Sequence, residues 1–241
     1  MERALSFDLS SDFAIFRRGY TTTSALTYAI PPKPTILGII GAILGTDYND
    51  YNTRLKDSKI AIRILSPIEK ITIAQNLIDT SGSLKFPIII PADKGRTRGS
   101  FEYLRNPRFR IFFSSEGESY AKLKSMLEKH QTFFTPYMGQ ANCIATIDNN
   151  KEVTVSSYTI DGSPASIDSV IPLDSFSLKD IVFEENRKYG RERVPLLMNA
   201  DRVVEKYIDI LYEVLGNSIK INKGSYQVIS SSDGIENVVF F

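Results

Sequence analysis

The stretch from Phe13 to Gly45 constrains the fold more than any other part of the chain. It reads FAIFRRGYTTTSALTYAIPPKPTILGIIGAILG. Proline is tolerated in the first turn of a helix, where its missing N–H would have no partner, so Pro32 and Pro34 predict a helix start near residues 32–35. This helix is predicted to end at about Gly45. It is apolar on nearly every side and carries several glycines, which predicts a buried helix that allows close approach of its neighbours.

The same stretch contains no Asp or Glu, although acids and bases are about equally common in the whole chain. A segment that excludes one sign of charge suggests an anionic neighbour. Arg17 and Arg18 open it, and Lys33 stands at the predicted helix start, where backbone N–H groups can bind phosphate. The residues leave a second interpretation open, a core helix behind a polar loop that binds nothing.

Composition limits the function classes. The formal net charge is +1 over 241 residues, whereas a free-standing nucleic-acid-binding domain is usually more basic. Any nucleic-acid contact must then come from local patches, completed by partner proteins. One cysteine and one histidine cannot build the usual zinc site, and no phosphate loop or dinucleotide fingerprint occurs, so we expect neither a metal nor another cofactor.

The longest apolar run, Ile36–Leu44, is shorter than the roughly 20 residues that span a bilayer. The first residues also lack the layout of a signal peptide. We therefore expect a cytoplasmic protein with no membrane partner.

Hydrophobic alternation predicts most of the remaining elements. It predicts strands at 5–9, 108–113, 144–147, 153–158, 225–229 and 237–241. Residues 60–64 and 71–73 also alternate, which predicts a long strand or a hairpin interrupted by Ser66-Pro67. A capping box at Ser115–Glu118 predicts a helix to about Lys129, and residues 148–150 predict a turn. Residues 186–193 are expected to form a loop, and 203–215 fit either a helix or a strand.

Two further groups of cations are candidates for binding. Lys94, Arg96, Arg98, Arg105, Arg108 and Arg110 are six positive charges offset only by Asp93 and Glu102. Arginine binds phosphate bidentately, and the interleaved aromatics Phe109 and Phe112 can stack on bases. The alternative is a solvated strand face. Contact with RNA, DNA or a partner, or plain solvent, remains open for Arg187, Lys188, Arg191 and Arg193.

Several motifs, in this order, resemble a known family. They are the FRR turn, Thr-Tyr before Pro-Pro, the glycine-spaced helix, YLRNPRFRIFF (103–113), PYMG (136–139) and ENVVFF (236–241). The sequence resembles the fifth-numbered Cas family of the RAMP superfamily over nearly its whole length. Members are subunits of Cascade, the type I CRISPR RNA-guided surveillance complex, and the type I-B branch is the nearest.

The resemblance implies an α+β fold, with an RRM-like or ferredoxin-like RAMP core in residues 1–147. A β-hairpin thumb at about 79–103 leaves this core, and 148–241 form a mostly β C-terminal part. It implies a non-catalytic subunit that caps the 5′ handle of crRNA and joins the backbone and large subunits, with target DNA near the PAM as a further partner. The implied RNA-binding residues are Arg17, Arg18, Lys33, Lys94, Arg96, Arg98, Arg105, Arg108 and Arg110.

Two alternatives stay open. Type I-C members of the family cut precursor crRNA, and here His130 could serve as general base and Lys129 as the cation for a metal-independent ribonuclease. Adjacent residues on a helix point about 100° apart, however, which favours His130 as a simple helix end. The second alternative is a structural scaffold whose basic face meets an acidic protein.

Overall fold

The computed structural model describes residues 2–21, 24–47, 50–78, 96–232 and 234–241. The strands are β1 (Glu2–Ser10), β2 (Phe13–Ala14), β3 (Lys59–Ile64), β4 (Lys70–Ile78), β5 (Arg96–Arg105), β6 (Arg108–Ser114), β7 (Thr146–Thr159), β8 (Ala165–Ile167), β9 (Ile171–Pro172), β10 (Ile181–Val182), β11 (Tyr189–Met198), β12 (Val204–Glu213), β13 (Ile219–Ile221), β14 (Ser225–Ser231) and β15 (Gly234–Val238). The helices are α1 (Lys33–Leu44), α2 (Tyr51–Arg54), α3 (Glu118–Glu128) and a 3₁₀ turn (Leu178–Asp180).

An antiparallel sheet of six strands forms the centre of the molecule, in the order β15-β14-β7-β1-β6-β3. The sheet curls until its outer strands meet, and Glu236 of β15 forms an ion pair there with Arg63 of β3. Ile60 and Phe241 also exchange backbone hydrogen bonds of 3.1 and 2.9 Å. Smaller sheets, β11-β12-β9, β10-β13-β8 and β2-β5-β4, surround it.

Helix α1 is buried, as the sequence predicted. It lies between this sheet and the β11–β12 hairpin. Its apolar residues join one cluster with Phe7 and Ile111 on one side and with hairpin residues such as Val194 on the other. The helix begins directly after Pro32 and ends at Gly45, whose φ of 72° is the left-handed cap that glycine favours. Contact on several sides explains why the helix is apolar nearly all round.

The opposite face of the central sheet carries a buried network of charges. Asp8 of β1 stands directly opposite Arg110 of β6 and accepts hydrogen bonds of 2.7 and 3.2 Å from its guanidinium. Arg110 also donates to Glu236 at 3.2 Å. The network thus links strands from the start, the middle and the last part of the chain.

Three local predictions were wrong. Residues 148–150 lie within β7 rather than in a turn; a register shift opposite Ser6–Asp8 and a φ of 52° at Asn149 absorb the irregularity. Residues from Tyr189 onward belong to β11, not to a loop, because they pair with β12. The capping box is not formed, since the Ser115 hydroxyl donates to the carbonyl of Glu116 and Gly117 takes the N-cap position.

The larger divisions of the chain have mixed outcomes. The long strand or hairpin predicted over 60–73 is not formed, because β3 pairs with β6 and β4 pairs with β5 in a different sheet. Residues 204–213, in a segment that fitted either a helix or a strand, are extended as β12. Residues 79–95 of the predicted thumb lie outside the described residues, and the thumb stays a prediction. The division after residue 147 also stays a prediction, although β7 runs continuously across that position. No helix in the described ranges is long and apolar enough to cross a membrane.

Candidate nucleic-acid interface

Residues 15–21 and 24–29, called the basic loop below, pair with each other. Arg17 and Thr27 form an antiparallel bridge, and the Tyr28 N–H donates to the Phe16 carbonyl at 2.9 Å. The Thr27 hydroxyl accepts the Phe16 N–H at 2.9 Å and donates to the Tyr28 carbonyl. The hydroxyl-rich sequence therefore satisfies backbone groups at the base of the loop.

The loop is fixed to the β4–β5 hairpin. The Glu102 N–H donates to the Ala25 carbonyl at 2.8 Å, and the Glu102 carboxylate accepts the Thr27 N–H at 3.1 Å. Lys70 donates to the Thr27 carbonyl at 2.9 Å and pairs with Glu102 at 3.2 Å. A loop without acidic residues of its own is thus held by an acid and a base from the neighbouring sheet.

The basic loop presents a cation and an aromatic ring to solvent. Arg17 is exposed, and its guanidinium donates to the Thr21 carbonyl at 2.9 Å. Tyr20 is 70% exposed, and its hydroxyl accepts a hydrogen bond of 2.8 Å from Arg18. An exposed guanidinium binds phosphate and an exposed ring stacks on a base, so the pair suits single-stranded nucleic acid.

Arg18 has a different role, because its guanidinium is occupied inside the protein. It contacts the Glu192 carboxylate at 2.5 Å and donates to the Thr27 carbonyl at 3.2 Å. It also lies over the ring of Tyr28, 5.3 Å from the centroid. Burial, together with the nearby phenols of Tyr207 and Tyr20, raises the pKa of Tyr28. Arg18 therefore braces the loop rather than offering itself to a phosphate.

Strand β5 carries two exposed arginines near the loop. Arg98 and Arg105 are both exposed, and since they are an odd number of residues apart along one strand, they face opposite sides of the sheet. Arg105 stands opposite Phe13, whose ring meets Tyr103 edge-on at 6.2 Å. Arg96 is the first residue of β5, and Lys94 lies outside the described residues.

The expectation that Arg108 and Arg110 line an open strand face is corrected by the structure. The Arg110 side chain is 14% exposed and is held by Asp8 and Glu236. Arg108 is more exposed, yet it also pairs with Asp8 at 3.3 Å. Counting the charges near Arg110 in the sequence missed Asp8 and Glu236, because these acids come from strands at the two ends of the chain.

Lys33 is also placed differently from the expectation. Its side chain is buried, and its ammonium donates to the Phe241 carbonyl at 3.3 Å. Burial lowers the pKa of this lysine. The start of α1 is covered by protein, so it does not present Lys33 to a phosphate.

Three of the four cations in the second basic patch, Arg187, Arg191 and Arg193, contact other groups of the protein. Arg187 donates to the Ser218 carbonyl and pairs with the Glu184 carboxylate at 2.9 Å. Arg191 pairs with Asp209 at 2.8 Å, and Arg193 lies 5.4 Å from the centre of the Tyr207 ring. The pairing of Arg193 with Tyr207 could not be predicted, because the segment of Tyr207 fitted either a helix or a strand.

Lys129 and His130 end α3 at the surface. His130 has a φ of 50° and lines a pocket of about 200 Å³. The pocket is lined by Met126, Leu127, His130, Gln131, Thr132, Pro136, Ala145, Ile147 and Asn150. Of the described residues that line it, none is Lys or Arg, so these residues offer no fixed cation to a developing phosphorane charge. Among the described residues, no group of three or more His, Cys, Asp or Glu side chains could hold a metal.

The fold is mixed α/β with mostly strands, and its surface combines a basic loop with an exposed aromatic ring. A sequence profile of the family described as CRISPR-associated protein (Cas_Cas5) matches residues 4–202, and the chain belongs to this family. A comparison with curated proteins gives no match.

Two solved structures share the fold. One is the crystal structure of a CRISPR protein from Archaeoglobus fulgidus, with a TM-score of 0.55, 14% identity and 98% of each chain covered. The other is a chain of a CRISPR RNA-guided surveillance complex, with a TM-score of 0.52, 13% identity, and 90% of this chain and 91% of that chain covered.

Proposed function

We propose that this chain is a non-catalytic subunit of a type I CRISPR RNA-guided complex, a Cascade, and that it grips the 5′ handle of the crRNA. The observation that carries the proposal is the basic loop. In a chain of a CRISPR-associated family, an acid-free loop is held rigidly at its base and presents Arg17 and Tyr20 to solvent. The backbone and large subunits are its protein partners, and target DNA near the PAM is a further one.

The topology supports an RRM-like core. The elements β1-α1-β3-β6-α3-β7 follow a β-α-β-β-α-β order, and their strands lie as β7-β1-β6-β3. A ferredoxin-like unit has this order of elements. The β4–β5 hairpin, inserted between β3 and β6, supports a thumb at about 79–103, since residues 96–103 belong to β5.

The RNA crosses the edge where the basic loop meets β5. Arg17, Arg98 and Arg105 contact phosphates, and Tyr20 stacks on an unpaired base. Arg18, Lys33, Arg108 and Arg110 support the fold instead. Because the net charge is only +1, neighbouring subunits complete the groove.

Co-expression tests this function directly. The tagged chain is produced with the neighbouring operon products and a CRISPR array, and the co-purifying RNA and proteins are analysed. We expect one short, discrete RNA and stoichiometric protein partners. Arg17→Ala combined with Tyr20→Ala should deplete the RNA, whereas Arg54→Ala, an exposed arginine on α2, should not. An RNA-free chain, or equal RNA in both variants, contradicts the proposal.

One other function, a repeat-cleaving ribonuclease with His130 as general base, is tested separately. The purified chain is incubated with repeat RNA and without divalent ions, beside a His130→Ala variant. The proposed subunit leaves the RNA intact in both samples. A discrete product that disappears in the variant would replace the non-catalytic assignment.

A further inference from the structure

Glu192 of β11 holds both sides of the basic loop at once. Its Oε1 contacts the Arg18 guanidinium at 2.5 Å, and its Oε2 accepts the Ala29 N–H at 2.8 Å. Lys70 Nζ lies 3.7 Å from Oε1. The Glu192 side chain is 10% exposed. One carboxylate therefore spans the loop from its first residues to its last.

The contact reaches the exposed part of the loop through Arg18. The same guanidinium that Glu192 binds donates through Nη1 to the Tyr20 hydroxyl at 2.8 Å and through Nε to the Thr27 carbonyl at 3.2 Å. The planar guanidinium has five donors in a fixed geometry, so fixing one edge also orients the others. Glu192 thus orients Tyr20 through Arg18, without being exposed to RNA itself.

We propose that Glu192 is a positioning residue that braces the basic loop in its RNA-binding shape and couples the β11–β12 hairpin to that loop. The role rests on the proposed function, since it concerns the surface assigned to RNA. It adds a residue 174 positions away from Arg18, on strand β11.

Electrostatics alone predicts the opposite effect of removing this charge. A carboxylate beside an RNA site repels phosphate, so its neutralisation should tighten binding. If Glu192 braces the loop, neutralisation should weaken binding, because apparent affinity falls with the fraction of molecules in the competent shape. The sign of the change therefore separates a positioning residue from a nearby charge.

The experiment compares Glu192→Gln with Glu205→Gln, an exposed carboxylate on the neighbouring strand β12. Affinity is measured for a labelled single-stranded RNA with the handle sequence from the same operon. Hydrogen exchange is followed over residues 15–29 in the free, full-length chain. We expect Glu192→Gln to raise Kd about tenfold, as when the competent fraction falls to about a tenth. It should also speed exchange in the loop but not in β1 or β6, and Glu205→Gln should change neither.

Two more variants guard against a general loss of structure. Glu192→Asp keeps the charge and should restore part of the affinity, while Arg18→Gln should weaken binding less in Glu192→Gln than in the wild type, because the contact between Glu192 and Arg18 is already lost. Unchanged or tighter binding by Glu192→Gln, with unchanged loop exchange, would overturn the inference. Absence of RNA from the co-expressed wild-type complex would overturn the proposed function instead, and loop exchange in the free chain would still decide whether Glu192 is a brace.

Discussion

Replacing Asp8 with Asn should destabilise the fold far more than removing the exposed arginine beside it. Asp8 is 2% exposed and binds Arg110 through two hydrogen bonds, of 2.7 and 3.2 Å. These bonds are the largest influence that raises the pKa of Arg110, so the guanidinium stays charged. Breaking a buried ion pair from one side costs about 3–5 kcal/mol. Arg110 keeps Glu236, and Asn keeps one acceptor, so we expect a loss of about 3 kcal/mol, at the low end of that range.

Urea unfolding followed by far-UV circular dichroism measures this loss. For a chain of this size, about 3 kcal/mol corresponds to a Tm lower by roughly 6–12 °C. The matched control is Arg108→Ala. Its guanidinium also contacts Asp8, at 3.3 Å, but the side chain is 51% exposed, so we expect less than about 1 kcal/mol. A loss below about 1 kcal/mol for Asp8→Asn, or equal losses for both variants, would refute the reasoning.

Three other substitutions test separate parts of the structure. Gly139→Ala places a Cβ 1.9 Å from the Ile15 carbonyl oxygen at a φ of 95° and should lower the free energy of unfolding in urea by about 3 kcal/mol. The control, Gly162→Ala, has a φ of 83° and open space around the new Cβ, so it should cost only about 1 kcal/mol. Equal costs would exclude the close approach at Gly139. Lys33→Met should leave the Kd for handle RNA within about twofold, because the lysine is buried; a Kd raised about tenfold would restore Lys33 to the RNA surface. A hydrogen bond from Lys124 chiefly lowers the pKa of Glu152, so its stabilisation is present above the unfolded pKa of about 4.3 and is lost as pH falls through the lower folded value. Glu152→Gln should cost less than about 1 kcal/mol at pH 7 and progressively less as pH falls below about 4.3, and a difference that grows in acid would contradict this sign.

Features with local causes could be predicted from the sequence. Prolines at its start and a glycine at its end mark α1, and alternation marks β6. Gly139 lies against the Ile15 carbonyl with a positive φ, a close backbone approach that glycine permits. In each case neighbouring residues determine the conformation, so the signal lies within a few positions.

The candidate site was harder to predict because its charges are set by distant partners. Arg110 looked available for RNA, but its acids are 102 and 126 residues away. Arg18 also looked available for RNA, but it forms an ion pair with Glu192 of β11. No local pattern distinguishes an arginine that is neutralised across a sheet from one that faces solvent. Arg17 and Tyr20 are exposed through the shape of the loop, which only tertiary contacts fix.

The salt dependence of RNA binding tests the central claim most directly. The Kd of the full chain for labelled handle RNA is measured across a range of salt concentrations, for wild type and for Arg17→Ala. Each phosphate contact contributes about 0.7 to the slope of log K against log salt for a single strand. The account predicts weaker binding by the variant and a slope smaller by about 0.7. Identical affinity and slope would show that RNA does not bind at the basic loop.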